Sequence, residues 1–548
     1  MTVPRRRPAS RGAQPSPSPS RTPGLVPAII LLLAGVGAYA AVASNAVMNG
    51  SLNFEEVGFI IKSWWYITGA LQPFGNGDTA TILPGFPYLF GALQKTIGLS
   101  IVNARIAMVV LGVINGGLLF YLCRKLTANT LSSAAATFVY LGTPALSYSF
   151  STATPNAFVA LVFLLGVWLL LLSLGRSKPL FTALMGVVLA VLCLTVSSMW
   201  VAALLLALLL IAAVGRARLL HAAILIATTT SLIAGAVYTL PEPFTAHLLH
   251  QPPAVLVMQL MGTPVPGAPV LAEMSMIRLA QDAIDGVLFP YSGIIFMCVL
   301  MFGLTLSGPH ILWVAPYYLA LTLISIVVMR APGCETCATT TSTQVIALGG
   351  IATAIALAFL NRWRRQNQGA RSPLVISVAT IALALNCFAP ALAMQDSMRF
   401  FPVEMFKQPR PAAELQDVTA LMRVIGEHVP GNEPVLLLHK LPGLPYAVHM
   451  AGRRFPAVSI NPMAELRSIP GNLSGTQREA TLAMLERNGN WSSETLRRWI
   501  ERDYDVIIMQ EGLLALDEAT STVLNTSFEI ATIADFRGAK LTIYKRKS

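Results

Sequence analysis

Two adjacent carboxylates, Glu55 and Glu56, stand in the run Asn53-Phe54-Glu55-Glu56, shortly after the first long apolar stretch of the chain. An amphipathic run with Lys62, Trp64, Trp65 and Tyr66 follows, side chains suited to a membrane–water interface. A carboxylate held there can take a proton from a hydroxyl while an anionic lipid leaving group lies alongside. The plainer alternative is a pair of solvated acids at a helix N-terminus, where the dipole favours them. An anionic leaving group also needs cations, because charge builds on its bridging oxygen. Lys62, Lys95, Arg105, His247, His250, Arg278, Arg330 and Arg399 are the candidates. For Arg105 a structural ion pair with an acid of the 46–102 loop is at least an equal alternative, and for His247 and His250, three residues apart, packing or a surface position is the plainer role. Asn156 can donate or accept hydrogen bonds but is a poor metal ligand, so the expected chemistry uses neither metal nor cofactor.

The elements that must position these residues are membrane spans. Hydrophobic residues make up 54% of the 548 and charged ones 12%, about half the charged share of a soluble protein, and mean hydropathy is +0.63. That balance excludes a water-soluble enzyme. Apolar blocks at 25–45, 103–122, 128–148, 156–174, 179–197, 198–214, 219–240, 287–306, 310–329, 342–361 and 373–394 are each long enough to span a bilayer. The expected fold class is thus a polytopic α-helical membrane protein of about eleven spans with a small C-terminal α/β domain. Of the +12 net charge, Arg5, Arg6, Arg7, Arg11 and Arg21 supply five in a Pro/Ser-rich leader, 1–24, too polar to fold. Other basic residues, such as Arg124, Lys125, Arg216 and Arg218, fall in alternate short joints, as the positive-inside rule requires for a cytoplasmic N-terminus and an external C-terminus. No nucleic-acid module is recognisable. The membrane domain then covers 25–395, with outside loops at 46–102 and 241–286, and the external domain covers 396–548. Ala-Val-Ala-Ser at 41–44 leaves a cleaved signal peptide as an alternative for the first span.

In the tail, strands are expected at 434–439, 455–459, 504–510, 528–534 and 540–545, with an amphipathic helix at 478–487. This stretch has no nucleophile elbow or phosphate-cradling loop, so His439 and His449 read as surface or packing residues and the tail as a lid or docking platform. Cys334 and Cys337 form a local pair, equally compatible with a disulfide and with two free thiols.

The acidic pair, the Pro84–Tyr88 segment, Leu89-Phe90-Gly91, Ile97-Gly98 and Ala104-Arg105 occur in an order that resembles the start of GT-C superfamily membrane glycosyltransferases, the group of protein O-mannosyltransferases and aminoarabinose transferases. The resemblance covers roughly residues 25–240. It implies inverting transfer of a sugar from a polyprenyl-phosphate carrier to a lipid, glycan or protein hydroxyl at the outer membrane face. Glu55 matches the first acid of the family's pair, the expected base, and Glu56 its neighbour. Arg105 matches the family's Arg and ranks with Arg278 as a partner for the lipid phosphate, ahead of Lys62, His247 and His250. Two departures stand out: Glu replaces the commoner Asp, and Thr154-Pro155-Asn156 stands where many members have an acid. A transporter or flippase, and a non-catalytic relative, are the alternatives.

Overall fold

The computed structural model describes residues 25–71, 83–142, 144–176, 179–195, 199–213, 218–239, 413–431, 433–460, 492–513 and 518–547, with a few single positions besides. The first part is helical: α1 (Leu25–Asn49), α2 (Phe54–Thr68), α3 (Gly85–Ile97), α4 (Ile101–Thr127), α5 (Thr130–Gly142), α6 (Pro144–Ser149), α7 (Asn156–Arg176), α8 (Pro179–Thr195), α9 (Met199–Ala213) and α10 (Arg218–Thr239). Among the described residues, Leu25–Met48, Ile101–Thr127, Asn156–Ser173 and Leu219–Ala236 are long and apolar enough to cross a membrane.

Local chemistry sets the helix ends. Ser100, in extended backbone, caps α4, and Arg124 and Lys125 place cations in its last turn, where the exposed carbonyls favour positive charge. Within the apolar block at 128–148, the described helices are α5, to Gly142, and α6, from Pro144, a residue type that fits a first helical turn.

The segment 46–102 carries two helices of its own. α2 ends at Gly69 in the left-handed conformation (φ 74°), and α3 folds back on it. The two backbones touch closely at Gly91, where a Cβ would lie 2.2 Å from the Ser63 carbonyl oxygen. Gln94 Nε2 donates to the Ile60 carbonyl at 3.3 Å across the same seam.

The C-terminal part contains α11 (Ala413–His428), β1 (Val435–Leu438), α12 (Gly443–Met450), α13 (Ser493–Arg502), β2 (Val506–Gln510), α14 (Glu518–Ser527), β3 (Phe528–Phe536) and β4 (Ala539–Arg546). The strands form one sheet in the order β1-β2-β4-β3, with β1 parallel to β2 and the other pairs antiparallel. Arg537 and Gly538, both at positive φ, close the β3–β4 hairpin, and Gly538 N–H donates to Asp535 Oδ1 at 2.9 Å. The strand expected at 455–459 is instead a 3₁₀ turn, Ala457–Ile460. Pro456 has no N–H to give a ladder, and a single bridge, Pro434 to Arg454, is the sheet contact found at this point. The expected helix at 478–487, the spans at 287–306, 310–329 and 373–394, and Cys334 and Cys337 lie outside the described residues. Of 342–361 only single positions are described; one of them, Gly350, lies against Leu119 of α4.

The sheet unit does not stand apart from the helices. Trp65 of α2 makes edge contacts with the rings of Phe455 at 5.2 Å and His449 at 5.9 Å, and Phe54 meets His439 at 5.9 Å. Leu52, Val57, Tyr446, Phe455 and Ile460 belong to one continuous buried core. α2 is thereby packed between the α3 hairpin partner and the C-terminal unit.

Candidate functional site

Four backbone segments converge on one ion pair: the end of α1, the start of α2, the start of α4 and the loop from α6 to α7. Asn53 stands before α2 in extended backbone (φ −122°, ψ 157°), and its Oδ1 accepts the Glu56 N–H at 2.7 Å. This cap fixes the first turn of α2, which holds both acids. Arg105, one turn into α4 and 1% exposed, forms a bidentate pair with Glu56: Nε to Oε1 at 2.7 Å and Nη2 to Oε2 at 2.6 Å. Arg105 Nη1 faces the carbonyls of Ala46, Val47 and Gly50 at 3.3, 3.1 and 3.0 Å, and Nη2 also meets Ser51 O at 3.2 Å. The guanidinium thus sits among carbonyls at and just beyond the end of α1, sharing that of Ala46 with the Gly50 N–H at 2.9 Å. Gly50 permits the approach, since a Cβ there would sit 2.3 Å from the Ala46 oxygen and 3.4 Å from Arg105 Nη1.

The loop side is equally ordered. Ala153 N–H donates to Glu56 Oε1 at 2.8 Å. Behind it, Thr152 Oγ1 donates to Ser149 O at 2.9 Å and lies 3.0 Å from Thr154 Oγ1. Because the Thr152 proton is used, Thr154 must donate to Thr152, and Thr154 Oγ1 must accept from Asn156 Nδ2 at 3.0 Å. The second Nδ2 proton goes to Ser149 Oγ at 2.8 Å, which orients the amide and leaves Asn156 Oδ1 buried without a partner among the described residues. Among those residues no group of three His, Cys, Asp or Glu can hold a metal.

No protein-family model matches the chain, and no curated protein matches its sequence. Solved structures do. The crystal structure of ArnT, a GT-C aminoarabinose transferase, from Cupriavidus metallidurans bound to undecaprenyl phosphate superposes with a TM-score of 0.57 at 11% identity, over 94% of this chain and 97% of that one. Its apo form gives 0.56 at 12% identity, over 94% and 98%. The chain has the GT-C fold. With its apolar helices it is an integral membrane protein.

Within this GT-C fold, Glu56, Arg105 and the Asn156 loop come together. Glu56 is fully buried, unlike a solvated acid at a helix start. Glu55 is half-buried one position earlier, about 100° round α2. Lys62, 3% exposed, is two turns further along α2 on the Glu55 stripe. His247, His250 and Arg278 lie outside the described residues. His439 is neutral: its Nδ1 accepts Leu441 N–H at 3.1 Å, so Nε2 donates to Ser459 O at 2.9 Å. Burial pushes its pKa down to about 4, and burial does the same to His449. Sequence reasoning passed over Ser51, Ala153 and Tyr446. The first two act through backbone atoms, which no residue type advertises, whereas Asn53 is recognisable as a cap.

Proposed function

We propose that this chain is a membrane glycosyltransferase that moves a sugar from a polyprenyl-phosphate donor to a hydroxyl of a lipid, glycan or protein acceptor at the outer membrane face. The observation that carries the reading is the division of labour in the acidic pair, set in a fold shared with an enzyme seen with undecaprenyl phosphate. Both oxygens of Glu56 are bonded to Arg105, and one also takes the Ala153 amide, so Glu56 holds the architecture. Glu55 is the base. Its carboxylate takes the acceptor O–H proton as the acceptor oxygen bonds to the anomeric carbon. The bond from that carbon to the phosphate oxygen breaks, its electron pair leaves with the polyprenyl phosphate, and attack from the opposite face inverts the centre.

Every N–H of Arg105 already points at a protein oxygen, so the leaving phosphate draws on other cations. Lys62, on the Glu55 stripe, and Arg278 are the leading ones, with His247 and His250 behind them. Asn156, neutral and held by hydroxyls, serves the donor sugar as an acceptor group. The test is transfer in isolated membranes from a panel of labelled polyprenyl-phosphate sugars. Glu55→Gln is expected to lower transfer by about 10²-fold or more while the protein still inserts. Normal transfer by that variant, or no transfer by wild type from any donor, overturns the reading.

A further inference from the structure

Tyr446 belongs to α12 of the C-terminal unit, yet its hydroxyl reaches the membrane helices. It accepts the Ile101 N–H at 3.1 Å, and both residues are buried, Tyr446 at 6% and Ile101 at 2% exposure. Ile101 is the first residue of α4, following the Ser100 cap, and Arg105 is one turn further on. The contact therefore fixes the start of the helix that delivers Arg105 to Glu56. Leu52 and Phe54, which bracket the approach to α2, touch Gly443 and His439 of the same unit.

We infer that Tyr446 is a positioning residue for the acidic pair: by holding the first amide of α4 it sets Arg105, Arg105 holds Glu56, and Glu56 places Glu55 in the next position. The inference rests on the reading of Glu55 as the base only in its activity arm. If the tether slackens, Glu56 is less fully neutralised. The first turn of α2, and Glu55 with it, is then held less firmly in place.

The experiment is a double-mutant cycle of Tyr446→Phe and Ile101→Pro. Proline is suited to the first helical position and has no N–H, and Ser100 at φ −144°, ψ 133° has the extended backbone that a following proline requires. The double variant therefore breaks the tether without leaving a buried donor unpaired. Each single variant and the double are expected to show the same fall in kcat, roughly tenfold, with the donor KM unchanged. Additive losses, or a fall only in the quantity of folded protein, overturn the inference.

Amide hydrogen exchange gives an arm that needs no substrate. Tyr446→Phe is expected to speed exchange in the first turn of α2, at Glu56 and Val57, as well as in α4. Faster exchange confined to α4 overturns the inference even if the chain transfers no sugar at all.

Discussion

At the scale of single residues, the Glu56–Arg105 pair is the buried ion pair that joins α2 to α4 among the described residues. Two opposite charges are removed from water, and each is satisfied by additional hydrogen bonds. Such a pair adds little over an apolar replacement, but losing one partner strands the other. Arg105→Gln is therefore expected to destabilise the purified protein by about 3–5 kcal/mol, read as a lower melting temperature in detergent. Arg105→Lys should recover only part of that loss, since an ammonium cannot make the bidentate contact. The residue types were legible in the sequence: two acids and one arginine. An ion pair of Arg105 with a loop acid was legible as an alternative, but which acid was not, with Glu56 and Arg105 49 residues apart, nor were the four carbonyl partners of the arginine. The orientation of the Asn156 amide was equally hidden, since it depends on three hydroxyls acting in order.

At the scale of elements, the hairpin of α2 and α3 carries the acids, and the Gly91–Ser63 contact sets its closeness. Gly91→Ala must push the two backbones apart. The expected outcome is a loss of about 1–3 kcal/mol in stability, with a fall in transfer by the folded fraction. Unchanged stability would show that the hairpin tolerates a wider seam. The long helices were readable from uninterrupted apolar runs and terminal charges. The strand expected at 455–459 misled: Phe455, Val458 and Ile460 have strand-like side chains, while Pro456 denies the ladder a donor.

At the scale of the whole molecule, the C-terminal unit and the membrane helices share one core, and two histidines sit in or beside their contact. Both have folded pKa values near 4, below the ordinary 6.5, so the unfolded or undocked form binds more protons between those values. Their stabilisation is complete above about pH 6.5 and is lost as pH falls through about 4. Limited proteolysis of the C-terminal unit is expected to accelerate over that window. His449→Phe, which keeps a ring against Trp65, should blunt the acceleration. Sidedness is a separate expectation. A phosphatase reporter fused after Ser548 should be active outside the cell and one fused after Arg216 inactive, and the reverse pattern would move the acidic pair to the cytoplasmic face. The tail was expected to serve as a lid or docking platform, but the contacts had no signal in the sequence, because Trp65, Phe455 and Tyr446 are ordinary aromatic residues until the fold brings them together.

The Ile101–Tyr446 contact joins positions 345 residues apart, and this separation bears on how the protein is made. A ribosome adding about 5–20 residues per second needs on the order of tens of seconds to supply Tyr446 after Ile101 has been inserted. Throughout that interval the outer flank of α2 lacks its permanent neighbour and offers Trp65 and Phe54 to whatever is nearby. Nascent chains should therefore depend on a folding helper at the membrane surface, and chains truncated before α12 should be integrated normally and then degraded.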